Sequence, residues 1–165
     1  GMVIQGVLIT GVNAIGGEWG HNPLPWARDD EMPGPDCYCG QQGCIETFLS
    51  GPGLQLSYWR RTGLRITAQE ISSRADDGEL TAHEVMVKYE DQLARGLAAV
   101  INLLDPEIIV LGGGLSNIDR LYDNVQTIWS DYVFSDDVLT KLVKAHHGDS
   151  SGVRGAAWLW PENDK

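Results

Sequence analysis

The chemistry-bearing residues of this chain fall in two short runs, Gly17-Glu18-Trp19-Gly20-His21 and Cys37-Tyr38-Cys39-Gly40-Gln41-Gln42-Gly43-Cys44-Ile45-Glu46. All three cysteines lie in the second run, and one of the four histidines closes the first. Zinc takes four soft or borderline ligands in a tetrahedron. Cys37, Cys39 and Cys44 supply three, and His21 is the nearest candidate for the fourth. Gly40 and Gly43 let the backbone turn tightly enough for thiolates on both sides to converge. The competing reading is three reduced cysteines in a surface loop. Two glycines between Cys39 and Cys44 weigh against it, because they raise the entropy lost on ordering unless the loop geometry is needed.

A histidine has two ring nitrogens, and a metal on one fixes the tautomer at the other. The free side of His21 then becomes an oriented N–H donor. Glu18 precedes it by three residues, so the two share a face if the segment is helical. A carboxylate beside a fixed N–H can hold the hydroxyls of a polyol or sugar; the alternative for Glu18 is a solvated surface charge. Glu46 follows Cys44 by two residues and is pinned near the same metal, or else complements a helix dipole from the first turn. A further feature is Gly112-Gly113-Gly114, where an apolar strand passes into a helix and backbone can approach a ligand closely. It is neither G-x-G-x-x-G nor a Walker A loop, and it also reads as a plain strand-to-helix turn.

The elements that must carry these residues alternate in type. Val3 to Gly11 predicts a strand running into a turn. Asn22 to Trp26 is excluded from a helix interior by two prolines, and Arg28 to Asp36 predicts an exposed loop. Ile45 to Gly63 predicts helix with a break at Gly51-Pro52-Gly53. Thr67-Ala68-Gln69-Glu70 predicts a capping box and a helix to about Ala75. Thr81-Ala82-His83-Glu84 repeats that pattern, and Val85, Tyr89, Leu93, Leu97, Val100, Ile101 and Leu104 follow at helical spacing until Asp105-Pro106. Glu107 to Leu111 predicts a strand buried on both faces. A helix capped by Ser116 or Asn117 runs to about Trp129, a strand covers Leu139 to Ala145, and a last helix covers Val153 to Trp160, stopped by Pro161. This is the rhythm of an α/β lobe.

With 165 residues, 42% of them hydrophobic and 21% charged, the chain suits one globular domain or lobe. Its net charge of −11 disfavours nucleic acid and anionic membranes as partners. No apolar run reaches the length of a membrane span, and no signal peptide is visible. An odd cysteine count argues against a disulfide framework, so a cytoplasmic location is expected. Gly1 reads as an addition ahead of a start codon at Met2.

Together these residues resemble the ROK family of sugar kinases. The resemblance rests on Gly17 to His21, on Cys37-x-Cys39-Gly40-x-x-Gly43-Cys44-x-Glu46, on Ser50-Gly51, on Asp105 to Gly114 and on Asp149 to Ala157. Glu18 to Pro25 points toward its fructokinase- and mannokinase-like members. The resemblance implies one lobe, residues 1–165, of an actin-like (ribonuclease H-like) α/β fold, with a zinc and sugar segment over 16–50 and a nucleotide side over 107–130. It implies structural Zn2+ held by His21, Cys37, Cys39 and Cys44, and sugar contacts from Glu18, His21 and Glu46. Gly112, Gly113 and Gly114 match the adenosine-side contact, with Mg-ATP serving the complete enzyme. The implied partners are a fructose-like hexose, ATP and further copies of the chain in a homo-oligomer.

The family's Asp-x-Gly-Gly-Thr phosphate loop is not found here, nor is the Asn-Asp pair whose aspartate is the general base. Asp29-Asp30 and Asp76-Asp77 both follow His21, and Thr10 to Ile15 is shorter than the family's hairpin. A C-terminal lobe without catalytic residues of its own, inactive alone, is therefore expected. Two alternatives remain: the sugar-sensing body of a ROK-type transcriptional repressor, and a relic that only oligomerises.

Overall fold

The computed structural model describes residues 1–157, and the expected end of the last helix at Trp160-Pro161 lies outside them. One helix organises the rest. α4 (Leu80–Leu104) is 25 residues long, and its apolar positions bury Val85, Met86, Tyr89, Leu93, Leu97 and Ile101. Three helices pack around it: α2 (Gly51–Thr62) through Leu54 and Tyr58, α3 (Ala68–Asp76) through Ile71 and Ala75, and α5 (Arg120–Trp129) through Leu121, Val125 and Trp129. A polar latch adds to the apolar contact between α4 and α5: the buried Glu90 accepts from Arg120 and, at 3.0 Å, from Asn124. No helix among the described residues is long and apolar enough to cross a membrane.

Local chemistry departs from expectation at several points. The first strand is a hairpin, β1 (Met2–Ile4) pairing antiparallel with β2 (Val7–Ile9). Gln5 and Gly6 both have positive φ, 51° and 77°, the geometry of a two-residue turn whose twist suits the flanking strands. The helical stretch after Cys44 breaks earlier than Gly51: α1 (Ile45–Phe48) stops, and Ser50 caps α2 by accepting from Gly53 N–H at 3.1 Å. Pro52 sits in the first turn, where its missing N–H is not needed. Thr67 caps α3 as expected, accepting from Glu70 N–H at 3.1 Å, but the Glu70 carboxylate turns to Arg74 instead of closing the box. Thr81 does not cap α4; the helix begins one residue before it, with Glu79 at the boundary. Gly114–Asn117 forms a 3₁₀ turn, so neither Ser116 nor Asn117 caps the helix that follows; α5 begins after Asp119.

β3 (Ile108–Leu111) and β4 (Lys141–Lys144) form a parallel pair in which Ile108 faces Lys141 and Leu111 faces Lys144. β3 is not buried on both faces. Ile109 and Leu111 pack on the core, while Ile108 and Val110 remain 48% and 57% exposed. α6 (Ser151–Ala157) ends the described chain.

Gly96 shows how α4 receives the site segment. A Cβ built there would stand 2.8 Å from the Trp19 ring and 3.2 Å from Leu49, while Trp19 Nε1 donates to Gly96 O at 3.3 Å. Gly96→Ala is expected to destabilise the chain by about 1–3 kcal/mol through overpacking, despite alanine's better helix propensity. Urea titration checks this; unchanged or raised stability would mean that the indole moves without penalty.

Candidate functional site

Trp19–His21 is a single 3₁₀ turn anchored to α4 by the Trp19 indole. Asn22 steadies its end by donating from its side chain to Trp19 O at 3.1 Å. The chain then runs beside the last cysteine: Ile45 N–H donates to Asn22 O at 2.8 Å, Leu24 N–H donates to Gly43 O at 3.1 Å, and Pro23 bridges Cys44. The cysteine loop closes on itself through Cys37 N–H to Gln41 O at 2.8 Å and the Asp36–Gln42 bridge. Gly43 has φ of 71°, and a Cβ there would meet Pro33 O at 2.8 Å, so no other residue fits this crossing.

These tethers bring the four expected ligands together. The candidate ligand atoms of His21, Cys37, Cys39 and Cys44 all lie within 4.8 Å of one another. Cys37 Sγ is 3.6 Å from His21 Nδ1, and Cys39 Sγ is 3.6 Å from Cys44 Sγ. A zinc tetrahedron with ordinary Zn–S and Zn–N bonds has edges of about 3.3–3.8 Å, so both separations fit one ion. All three thiols are free. Their proton affinities diverge. Cys39 is drawn down to about 7, first by the Gln41 N–H and then by Cys37. The Cys39 N–H favours the Cys37 thiolate, but burial and Glu46 outweigh it and push Cys37 up to about 12. Burial first, then Cys39, raises Cys44.

Glu46 sits in the first turn of α1, with Oε1 accepting from Cys37 Sγ at 3.1 Å and standing 3.7 Å from His21 Nδ1. It is thus held at the cluster, as the spacing suggested. Its Cβ lies 3.4 Å from where a Cβ on Gly20 would be, so the small residue of the 3₁₀ turn admits it.

The other ring nitrogen of His21 faces away from the sulfurs: Nε2 is 2.8 Å from Tyr38 Oη, and the two rings meet edge to face at 5.0 Å. Tyr38, 85% exposed, was not singled out by sequence, although its place between two candidate ligands is a signal. Its hydroxyl is raised above the ordinary range by the Glu46 charge first, then by burial, with Cys37 and Glu18 adding. Glu18 itself is exposed and precedes the turn in a non-helical conformation, so it does not share a helix face with His21.

The triglycine lies elsewhere. Gly112, Gly113 and Gly114 line an open cleft of about 490 Å³ with Ser50, Gly51 and Gln69, and Gln69 donates to Gly114 O at 3.0 Å. The first residues of α2 and α3 border the same cleft, whose lining does not include Glu18, His21 or Glu46.

The loop expected to be exposed holds a buried carboxylate. Glu31 is 4% exposed and pairs with Arg95 of α4 at 2.7 Å, while Gln92 donates to it at 2.8 Å. Arg95 also donates to Pro25 O and Trp26 O, both at 2.9 Å, and to Asp91 at 3.0 Å. Two polar residues on the buried side of α4, Gln92 and Arg95, were the available sign.

Comparison with known proteins identifies the family. The sequence profile of the ROK family matches residues 1–163. The N-acetyl-D-glucosamine kinase of Vibrio atlanticus is 39% identical over 163 residues, which are 96% of this chain and 54% of that protein. The chain thus spans about half the length of the curated relatives it matches. A ROK hexokinase from Thermus thermophilus superposes with a TM-score of 0.78 at 26% identity, covering 94% of this chain and 50% of its own. A ROK family transcriptional regulator superposes with a TM-score of 0.59 at 26% identity, covering 73% of this chain and 33% of its own. The expected leaning toward fructokinase and mannokinase finds no support among these relatives, which bear the name of N-acetyl-D-glucosamine kinases. By sequence profile and by fold, this chain belongs to the ROK family.

Proposed function

We propose that this chain forms the sugar-binding, zinc-bearing lobe of a cytoplasmic ROK kinase that transfers a phosphoryl group from Mg-ATP to a hexose hydroxyl. N-acetylglucosamine replaces fructose as the first sugar to test. The observation that carries the reading is the His21 ring, whose Nδ1 faces the sulfurs while Nε2 faces a hydroxyl at 2.8 Å. Zinc bound by His21 Nδ1, Cys37, Cys39 and Cys44 would brace the loop and fix the Nε2–H tautomer. Nε2–H then donates to a sugar hydroxyl, and Glu46 and Glu18 accept from neighbouring ones. Catalysis of this kind is mostly positioning and electrostatics. The cleft at Gly112, Gly113 and Gly114 takes the adenosine side of the nucleotide. The catalytic base is assigned to no residue of this chain, and the protein assembles as a homo-oligomer. Free thiols suit a reducing compartment.

The kinase reading is preferred to the repressor reading because the hexokinase superposes over 94% of the chain and the regulator over 73%. Titration calorimetry with N-acetylglucosamine, glucose and fructose tests it. Heat is expected with N-acetylglucosamine, and Glu46→Gln or Glu18→Gln should weaken binding roughly 10- to 100-fold, the worth of a charge-assisted hydrogen bond. ATP-dependent turnover by these 165 residues alone is not expected. No heat with any hexose, or heat unchanged in both variants, overturns the sugar site.

A further inference from the structure

A cavity of about 360 Å³ lies between α2 and α4, at the small end of the range for ligand pockets. Its lining includes none of the candidate sugar, metal or triglycine residues. The inner wall is made by Leu54, Val85, Tyr89 and Gln92, all buried. Arg60, Arg61 and Lys88 are less buried and form the mouth.

Two polar atoms of the inner wall are not used by the fold. Tyr89 is 4% exposed, yet its hydroxyl has no hydrogen-bond partner among the described residues, and burial alone raises its pKa. Gln92 donates from its side-chain amide to Glu31, which leaves its Oε1 without a donor among those residues. No fully buried side-chain nitrogen or oxygen among them lacks a partner. Both oxygens therefore reach open space, and the space these two residues line is the cavity. Polar groups this deep are costly to leave bare, so the cavity suits a molecule that both accepts and donates hydrogen bonds.

The mouth has the opposite sign to the chain. The net charge is −11, but three cations border the cavity against one carboxylate, Asp30. Arg60 has no ion pair among the described residues, whereas Arg61 pairs with Glu84 and Lys88 with Asp30. Those two pairs are exposed, so little is lost when their cations turn to a ligand.

We propose that this cavity binds a phosphate monoester of a small polyol. The guanidinium forks of Arg60 and Arg61 match phosphate oxygens two at a time, and Lys88 adds a compact charge. A phosphomonoester carries about two negative charges at neutral pH, which favours it over a monocarboxylate beside three cations. The hydroxyl-bearing body lies inward, where the Tyr89 hydroxyl donates and Gln92 Oε1 accepts. This inference does not rest on the sugar-kinase reading, since the cavity shares no residue with the proposed sugar site.

Titration calorimetry of the full chain with glucose 6-phosphate and with inorganic phosphate tests it. Glucose 6-phosphate is expected to bind about tenfold more tightly than inorganic phosphate, through its hydroxyls. Arg60→Gln, at an exposed and unpaired side chain, should weaken its binding about tenfold. Tyr89→Phe should weaken it roughly three- to tenfold while Tm stays level or rises, because the hydroxyl holds no protein partner. Glu46→Gln should leave it unchanged. Five outcomes overturn the proposal: no heat with glucose 6-phosphate; inorganic phosphate binding as tightly, which marks an adventitious anion; binding unaltered by both Arg60→Gln and Tyr89→Phe; a lower Tm in Tyr89→Phe; or binding lost in Glu46→Gln, which moves the ligand to the proposed sugar site.

Discussion

Stripping the metal from the purified chain is expected to unfold the segment from Gly17 to Glu46 while α4 and its neighbours stay folded. That segment has little regular structure: two 3₁₀ turns, two isolated bridges and the four residues of α1 that begin at its end. What holds it is the convergence of four ligand atoms within 4.8 Å and the anchors on α4. Structural zinc contributes on the order of 10–16 kcal/mol in small zinc peptides, where binding and folding are one event. Here the anchors limit the collapse to the loop. Elemental analysis should find about one zinc per chain, since four ligands close one site. Cys39 is the informative position because it is exposed while Cys37 and Cys44 are buried. Cys39→Ser changes ligation without opening a cavity, and it should weaken zinc by more than the 10- to 100-fold typical of outer-partner changes. Amide exchange at Leu24, Gly43 and Ile45 should rise with it. Metal-free protein with unchanged exchange in this segment would remove zinc from the account.

The second large effect is expected at the buried ion cluster. Arg95→Ala should destabilise the chain by about 3–5 kcal/mol, because it leaves Glu31 buried without its cation and frees Pro25 O and Trp26 O. At this chain length that corresponds to a drop of roughly 6–20 °C in Tm. Glu31→Gln should fall at the lower end, since Arg95 keeps Asp91 and both carbonyls. The pH dependence has a definite sign. Burial pushes the Glu31 carboxyl up, but Arg95, the Arg28 N–H and Gln92 outweigh it and hold it below the usual value. Its contribution is then complete above the unfolded-state pKa of about 4.3 and is lost as pH falls through the lower folded-state value. Glu31→Gln should flatten the fall of Tm below the unfolded-state value of about 4.3. A variant whose Tm follows the parent in parallel would show that other carboxylates carry the acid transition.

How much of this was legible depended on whether the signal was local. The clustering of His21 with the three cysteines was, because three of the four groups sit within eight residues and glycines mark the turns. The long helix was, because its apolar period persists over seven turns. Gln5-Gly6 between two apolar triplets is the local sign of the hairpin, which an uninterrupted strand over Val3 to Gly11 overlooks. Pro52 marks the start of α2 and not a break within one helix, since proline is favoured in a first turn. What sequence could not supply was partnership at a distance. Glu31 lies in a polar, proline-bounded stretch, and nothing nearby announces that Arg95, 64 residues later, buries it. The one-sided burial of β3 is similar: Ile-Ile-Val-Leu predicts cover on both faces, and the described residues cover one. The expected sugar set divides the same way. Glu46 is fixed by its distance from Cys44 along the chain, while the position of Glu18 depends on a turn type its neighbours did not reveal.

At the proposed sugar site, the contact between His21 Nε2 and the Tyr38 hydroxyl would make ligand capture an exchange reaction. Any hydroxyl-bearing molecule that reaches this nitrogen displaces a phenol already bonded to it, so the number of hydrogen bonds at the imidazole is the same before and after. The favourable difference must then arise at groups with no such occupant and from the freedom the released ring regains in solvent. With Nε2–H as the donor, an incoming oxygen need only accept, so an aldehyde or ether oxygen competes for this position as a hydroxyl does. Discrimination by this nitrogen therefore measures the incoming group against tyrosine, not against water.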